Sequence, residues 1–500
     1  MTIKITKLMV KYLCLILVFS LGLALLGCAG KGPTLSRTQS PNAPELYAQA
    51  KALEERASGE ADIQNVVTAY TKAIRAGSPE AACDLAELYL SGFAPVKPGK
   101  DESAQDAADK AAFNLYLQAA KADYAPAQYK TAVMYADERG IERNMAEARA
   151  WLLKAGQAGY TDAQAKLGDA YYEGCGCGPD CDCGSGCCFG FDQDYGQAKY
   201  WYERLAASSD KSARALGQSK LASLYEEGGA GQGSDYAAAA RMYEAAAAEG
   251  DAGAQGSLAF LYFRGRGVPR DYEKAVSLHE DLVERYGEEM YGYNMAVLYY
   301  YAPTGKEQAL RHKEAFRLFK NAAASGEYAY AESALGECYE NGVGVARNYA
   351  EGAKWYGKAA DKGFADAQFL LGELYRRGLG VKRDFKEALR LFESAADQGL
   401  AWGQRGVAGA YYRGEGVTRD YARALELYTK AAEGGDQEAM FMLGQMYERG
   451  EGAAKDPIAA RKWYRQAAEY PASESHYWEP EKVAAYNAKG RAALQRLGDK

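Results

Sequence analysis

The chain has 500 residues, 48% of them hydrophobic and 25% charged, with 13 Pro, 10 Cys and 40 Tyr against 14 Phe and 6 Trp. That is enough apolar sequence for a large core and excludes a disordered protein. Sixty basic against 67 acidic side chains leave a formal charge of −7, which disfavours nucleic acid as a partner, since binding rests on cationic contacts to phosphate. The three histidines, His279, His312 and His476, stand in separate segments, so a multi-histidine metal site would have to be assembled from distant parts of the chain.

Lys4, Lys7 and Lys11, with no acid before Cys28, precede an apolar run over residues 12–26 (YLCLILVFSLGLALL). The run is too short for a comfortable membrane span and suits the core of a signal peptide. It ends in Leu25-Leu26-Gly27-Cys28, which resembles the bacterial lipobox. The resemblance implies that residues 1–27 are a cleaved lipoprotein signal peptide and that Cys28 becomes the acylated first residue, anchored by its lipid chains. An uncleaved anchor and an ordinary signal peptide are the alternatives. Ala29, where an Asp would signal retention, resembles the outer-membrane sorting class and implies an outer membrane lipoprotein facing the periplasm. Residues 28–44 are rich in Gly, Pro, Ser and Thr and read as a flexible tether. Helical periodicity within 45–79 predicts N-terminal capping helices.

From there a tyrosine recurs at Tyr89, Tyr135, Tyr171, Tyr225, Tyr262, Tyr299, Tyr339, Tyr375, Tyr411 and Tyr447, and the ground interval is 36 residues. About ten such units predict an all-α solenoid of antiparallel helix pairs over residues 80–470. In the cleanest unit Leu371, Leu374 and Tyr375 form the apolar stripe of a first helix, which Gly378 ends as a left-handed cap ahead of Gly380. Asp384 is placed to cap a second helix, with Glu387 completing a capping box, and Ala388, Leu391, Phe392 and Ala395 form that helix's inner stripe. Tyr339, Gly342 and Gly344 repeat the arrangement, as do Tyr411, Gly414, Gly416 and Asp420, and the fixed tyrosine returns at Tyr447. Tyr411 is expected to be a buried knob between units. Residues 471–500 read as a C-terminal capping helix.

This wording, L-G-x-x-Y-x-x-G-x-G-V-x-x-D-Y/F, resembles the Sel-one-like repeat (SLR), a cousin of the tetratricopeptide repeat. The resemblance implies a right-handed superhelical solenoid with a concave inner face, a scaffold or adaptor role toward protein partners, and no catalytic residues. Two units depart from the wording. Thr131-Ala132 replaces Leu-Gly before Tyr135, and Ala302-Pro303-Thr304-Gly305 replaces the glycine turn after Tyr299.

Nine residues separate Tyr375 from Asp384 but 23 separate Tyr171 from Asp194, which places an insertion at 175–188. It carries Cys175, Cys177, Cys181, Cys183, Cys187 and Cys188. Three readings stay open: a disulfide-tied loop in an oxidising compartment, a thiolate site for Zn(II) or Cu(I) or redox chemistry, and a loop with neither role. Six cysteines allow 15 full pairings, so connectivity is not legible. About ten further inserted residues fall between Pro98 and Ala108. Cys83 and Cys338 read as small core residues.

Ser208 to Lys211 matches the Ser-x-x-Lys of β-lactamases without the partner motifs, which leaves a β-lactamase-like hydrolase a remote alternative. Tyr172, Tyr300, Tyr301 and Tyr412 extend beyond the apolar stripe and offer faces for sugar rings or a protein anchor. The sequence therefore predicts a membrane-anchored periplasmic scaffold that binds envelope proteins, with polysaccharide a second partner class and no required cofactor. In its combination of lipobox and repeat array it resembles the alginate-export (AlgK-like) lipoproteins, which implies a place in an exopolysaccharide secretion complex. The alternative is a metal- or redox-active thiol protein built on the 175–188 loop.

Overall fold

The computed structural model describes residues 33–36, 39–99, 102–174, 189–229, 233–301, 307–324, 326, 328–470 and 480–498. The signal segment, Cys28, the 175–188 insertion, the Ala302–Gly305 turn and His476 lie outside these residues. Among the described residues there are 23 helices and no strand. The chain divides into two compact units, Met1–Trp201 and Tyr202–Lys500.

The first unit holds α1 (Ala43–Arg56), α2 (Glu60–Arg75), α3 (Pro79–Leu90), α4 (Ala104–Lys121), α5 (Ala125–Ala136), α6 (Met145–Gln157) and α7 (Thr161–Glu173), and the division falls within α8 (Tyr195–Ala206). The second holds α9 (Lys211–Glu227), α10 (Tyr236–Ala248), α11 (Ala252–Arg264), α12 (Tyr272–Tyr286), α13 (Glu288–Tyr300), α14 (Gln308–Ala323), α15 (Ala329–Asn341) and α16 (Tyr349–Asp361). It continues through α17 (Ala365–Arg377), α18 (Phe385–Asp397), α19 (Ala401–Arg413), α20 (Tyr421–Glu433), α21 (Gln437–Arg449), α22 (Pro457–Glu469) and α23 (Pro480–Arg496). Within each unit consecutive helices pack as hairpins and each hairpin packs on the next, as a solenoid requires of elements that bury only one stripe.

The α17–α18 hairpin shows why the sequence folds this way. Leu374 is fully buried, α17 stops at Gly378 with φ +70°, and the N–H groups of Gly378 and Leu379 both donate to the Leu374 carbonyl at 2.8 and 3.0 Å. Gly380 has φ +70°, and a Cβ there would lie 2.2 Å from the Tyr349 carbonyl carbon. The second glycine of the turn therefore sits against the start of the preceding hairpin's second helix and sets the close approach between repeats. Gly344 against His312, Gly416 against Phe385 and Gly452 against Tyr421 reproduce that joint.

Asp384 Oδ1 accepts from the N–H groups of Lys386 and Glu387 at 3.0 and 3.1 Å, as expected of an N-cap. The capping box is not formed. Glu387 turns outward to Arg390, at 2.9 and 2.6 Å, and the Asp384 N–H goes to the Tyr375 carbonyl at 3.0 Å. That last bond closes the hairpin, and it recurs from Asn348 to Tyr339 at 2.8 Å, from Asp420 to Tyr411 at 3.0 Å and from Asp456 to Tyr447 at 3.0 Å. The Asp194 N–H reaches the Tyr171 carbonyl at 2.8 Å, so the inserted residues between them leave the closure intact.

The fixed tyrosines are half-buried in every repeat, Tyr411 included, which corrects the expectation of a fully buried knob. Their backbone carbonyls close the turn while the rings cover the core edge. The buried aromatic is instead on the second helix, at Tyr356, Phe392, Tyr428 and Tyr464, each no more than 2% exposed. A small residue three positions before the fixed tyrosine makes room for it: Cβ atoms on Gly336, Gly372 and Gly444 would lie 2.5, 2.7 and 2.5 Å from the rings of Tyr356, Phe392 and Tyr464. This is the physical content of the Leu-Gly pair. In the first repeat, part of the Pro98–Ala108 segment is helical, because α4 begins at Ala104 behind a Ser103 cap that accepts from Asp106 N–H at 3.0 Å.

Candidate functional site

The second-helix aromatic slot carries a polar device. The hydroxyls of Tyr243, Tyr356 and Tyr464 donate to Glu226, Glu340 and Glu448 at 3.0, 2.9 and 2.7 Å. Each acceptor directly follows the fixed tyrosine of its own repeat, so the bond ties the end of the first helix to the middle of the second. Where the slot holds Phe392, which has no hydroxyl, the residue after the fixed tyrosine is Arg376, and it turns to Glu373 at 2.9 and 2.8 Å. In the repeat of α11 and α12 the slot holds His279 and the acceptor position holds Phe263. His279 is fully buried, neither ring nitrogen has a side-chain hydrogen-bond partner among the described residues, and the Phe260 ring meets it edge-on at 5.3 Å. Desolvation lowers its pKa to about 4, opposed in part by the Ala275 backbone, so the imidazole is neutral at ordinary pH.

Within the second unit a groove of about 670 Å³ runs along the first helices of six successive hairpins, α9, α11, α13, α15, α17 and α19. Its charged lining is Glu226, Glu337, Glu340 and Asp366 against Arg264. Its aromatic lining is continuous: Tyr293 packs on Tyr330 and Phe319 with centroids 4.6 and 5.6 Å apart, and Tyr300 on Tyr301 at 4.8 Å. Asn341 Nδ2 donates to the Tyr300 hydroxyl at 2.8 Å, which fixes that ring. Tyr330 is 40% exposed at the groove's edge, whereas Ser333 beneath it is 3% exposed and its Oγ has no partner among the described residues.

Burial, reinforced by the Glu337, Tyr330 and Asp366 side chains, pushes the Tyr293 phenol well above its usual range, and burial pushes Tyr243 up to about 12. Both stay protonated at neutral pH, and the Tyr243 hydroxyl donates to Glu226. The groove thus offers aromatic faces, carboxylates and hydroxyl donors, a set suited to holding a ligand.

Of the tyrosines that sequence marked as extending beyond the stripe, Tyr300 and Tyr301 line this groove and the other two do not. Tyr172 meets Tyr195 edge-on at 5.7 Å in the first unit, and the Tyr412 hydroxyl donates to Glu451 at 2.9 Å. Gly342, Gly344, Gly378, Gly380, Asp384, Gly414, Gly416 and Asp420 sit in hairpin turns, and Tyr339 and Tyr375 in the last turn of the helix before them, where their work is structural. The groove acids were missed because Glu337 and Glu340 flank the fixed Tyr339 and look like solvated helix positions; Tyr293 and Tyr330 looked like repeat packing.

Ser208, the candidate nucleophile of the Ser-x-x-Lys match, instead accepts from the Asp210 N–H at 3.1 Å in the turn before α9. Cys338 is fully buried and Cys83 half-buried; both are free thiols, and burial pushes both pKa values up, away from thiolate chemistry. Among the described residues no group of three or more His, Cys, Asp or Glu is placed to hold a metal ion, and no helix is long and apolar enough to cross a membrane. The six clustered cysteines and the lipidation candidate Cys28 are not among those residues.

The Sel1 repeat model matches eleven segments, at residues 79–182, 184–210, 215–280, 293–327, 329–400 and 403–469. Segments 161–182 and 184–210 are the two halves of the hairpin interrupted by the cysteine insertion, which reconciles eleven matches with ten fixed tyrosines. No curated protein sequence matches the chain. Among solved structures, a protective antigen of uropathogenic Escherichia coli displaying an SLR fold is similar at 25% identity, with 91% of this chain and 90% of that one covered and a TM-score of 0.57. A Sel1 repeat protein from Oxalobacter formigenes is similar at 22% identity over 85% of this chain and 98% of that one, with a TM-score of 0.38. With the repeat model matched along most of its length and the hairpin geometry repeated in both units, the chain belongs to the Sel1 repeat family.

Proposed function

We propose that this chain is an outer-membrane lipoprotein, anchored through Cys28 and facing the periplasm, that acts as a non-catalytic scaffold for a protein partner of the cell envelope. A protein-interaction scaffold is what a helical-repeat fold of this family supports, and the observation that carries the reading is the aromatic, carboxylate-lined groove built by one face of six successive hairpins. A surface assembled from six repeats depends on their stacking, so binding and stacking fail together. The lipobox-like Leu25-Leu26-Gly27-Cys28 and the Lys-rich leader support the address. A role in an exopolysaccharide secretion complex follows from the architectural likeness to alginate-export lipoproteins.

The test is recovery of the native lipoprotein with its partner after mild crosslinking, in the unaltered chain and in Phe392→Ala. Phe392 is 1% exposed and packs against Gly372 and Gly406, so truncation costs about 3–5 kcal/mol locally and loosens the repeats along the groove. The partner should be lost with the stacking. Undiminished recovery in a variant whose α17–α20 amides exchange freely would overturn the scaffold reading.

A further inference from the structure

Resting on the scaffold reading, we infer that the groove takes a cationic segment of its protein partner: an extended, lysine- or arginine-bearing stretch whose charged heads meet the carboxylates of Glu337, Glu340 and Asp366 and whose stems lie on the rings of Tyr293, Tyr330 and Tyr300. Three independent features point the same way. The first is charge. Four carboxylates and one guanidinium line a single groove, so its field attracts a cation and repels an acidic peptide.

The second is the character of those carboxylates' neighbours. Glu226 and Glu340 accept from tyrosine hydroxyls, which are neutral donors that orient the carboxylates without cancelling their charge. Arg377, from outside the lining, pairs with Glu340 at 3.9 Å, and counting it with Arg264 the groove carboxylates still outnumber the guanidiniums four to two. Meanwhile Tyr293 meets Tyr330 at 4.6 Å and 67°, and Tyr300 meets Tyr301 at 4.8 Å and 72°. Tilted rings of this kind present faces in more than one direction, the arrangement in which an ammonium or guanidinium gains cation–π attraction as well as carboxylate pairing.

The third is Ser333. It is 3% exposed, lines the groove, and its Oγ has no partner among the described residues. A hydroxyl left unsatisfied at the base of a binding groove is costly unless a ligand group completes it, and a backbone amide or carbonyl of an extended segment would do so. An extended chain also suits the geometry, since the lining residues come one helix at a time from six stacked hairpins.

The test uses the full-length lipoprotein in detergent and three fluorescein-labelled twelve-residue peptides identical except at four positions, which carry Lys, Gln or Glu. Anisotropy should show the Lys peptide binding at least tenfold more tightly than the Gln peptide and the Glu peptide weakest, with the Lys advantage shrinking on going from low to high salt. Glu337→Gln with Asp366→Asn should lose at least fivefold in Lys-peptide affinity. Glu393→Gln with Asp397→Asn, which removes the same charge from exposed positions of α18 outside the groove, should not. Equal binding of the Lys and Gln peptides overturns the inference, as does an equal response of the two double variants. So does binding of a neutral oligosaccharide in the absence of peptide binding. The peptide series on the unaltered chain decides the matter even if the groove variant does not fold. If peptides fail while the crosslinked partner is still lost in Phe392→Ala, the cationic segment is wrong and the scaffold stands; loss of both results removes both readings.

Discussion

Replacing His279 by Phe tests a second-helix slot whose polar ring meets no side-chain acceptor among the described residues. The structure gives both a sign and a size. In the folded chain the imidazole is fully buried with a pKa of about 4, whereas an unfolded histidine titrates near 6.5. The unfolded state therefore binds more protons between those values, so stability is unaffected above neutrality, falls as the pH drops below about 6.5, and levels off below about 4. Linkage puts the loss at about 2 kcal/mol between pH 7 and pH 5, approaching ~3 kcal/mol at lower pH. Tyr428, buried in a repeat that carries Ala408 three positions before its fixed tyrosine as this one carries Ala259, shows that a six-membered ring fits such a slot, and removing a buried polar ring should make His279→Phe about 1–3 kcal/mol more stable already at pH 7. Because a repeat array opens piecewise, the assay is hydrogen exchange of the α11 and α12 amides in the whole chain, corrected for intrinsic rate. The difference in protection between His279→Phe and the unaltered chain should widen from pH 7 to pH 5. A parallel decline in both proteins, or lower protection in the variant at pH 7, would refute the reasoning.

Three further outcomes follow from the turns and the termini. Gly380→Ala should cost about 2–4 kcal/mol, since its Cβ would sit 2.2 Å from the Tyr349 carbonyl carbon at φ +70°. Gly399→Ala, at φ +83° with nothing within 4 Å, should cost only about 1–2 kcal/mol; exchange in α16 and α18 distinguishes them. Deleting residues 175–188 should leave helical circular dichroism nearly unchanged, because the Asp194–Tyr171 hydrogen bond closes the hairpin without them; thiol titration and metal analysis of the same pair then report whether any redox or metal property departs with the loop. Cys28→Ala should abolish palmitate labelling and stable membrane recovery, and unchanged labelling would remove the lipoprotein reading.

The hairpins were legible because their boundaries depend on local chemistry. Gly378 and Asp384 do their work through the backbone within a few residues, and such signals survive in any single repeat. Inner-stripe positions such as Leu391 and Ala395 follow from helical spacing and are 3% and 0% exposed. What sequence missed depends on pairings between helices. That Glu340 serves Tyr356, or that Gly380 meets Tyr349, is invisible until the stacking is known, because the partners are 16 and 31 positions apart and neither is unusual alone. The capping box failed for a related reason: the Asp384 N–H had a better acceptor in the Tyr375 carbonyl than the Glu387 side chain, which found Arg390. The groove was half legible, in that Tyr300 and Tyr301 stood out as excess tyrosines while Glu337 and Asp366 resembled ordinary solvated acids.

The most direct test of the scaffold account is photocrosslinking in living cells with benzoylphenylalanine at Tyr330, 40% exposed on the groove, against the same probe at Leu310, 70% exposed on α14 and outside the groove lining. The account predicts a discrete protein adduct from Tyr330 in the membrane fraction and none of that mass from Leu310. An adduct of equal yield from both positions, or none from Tyr330 while partner recovery by mild crosslinking persists, would contradict a partner seated in the groove.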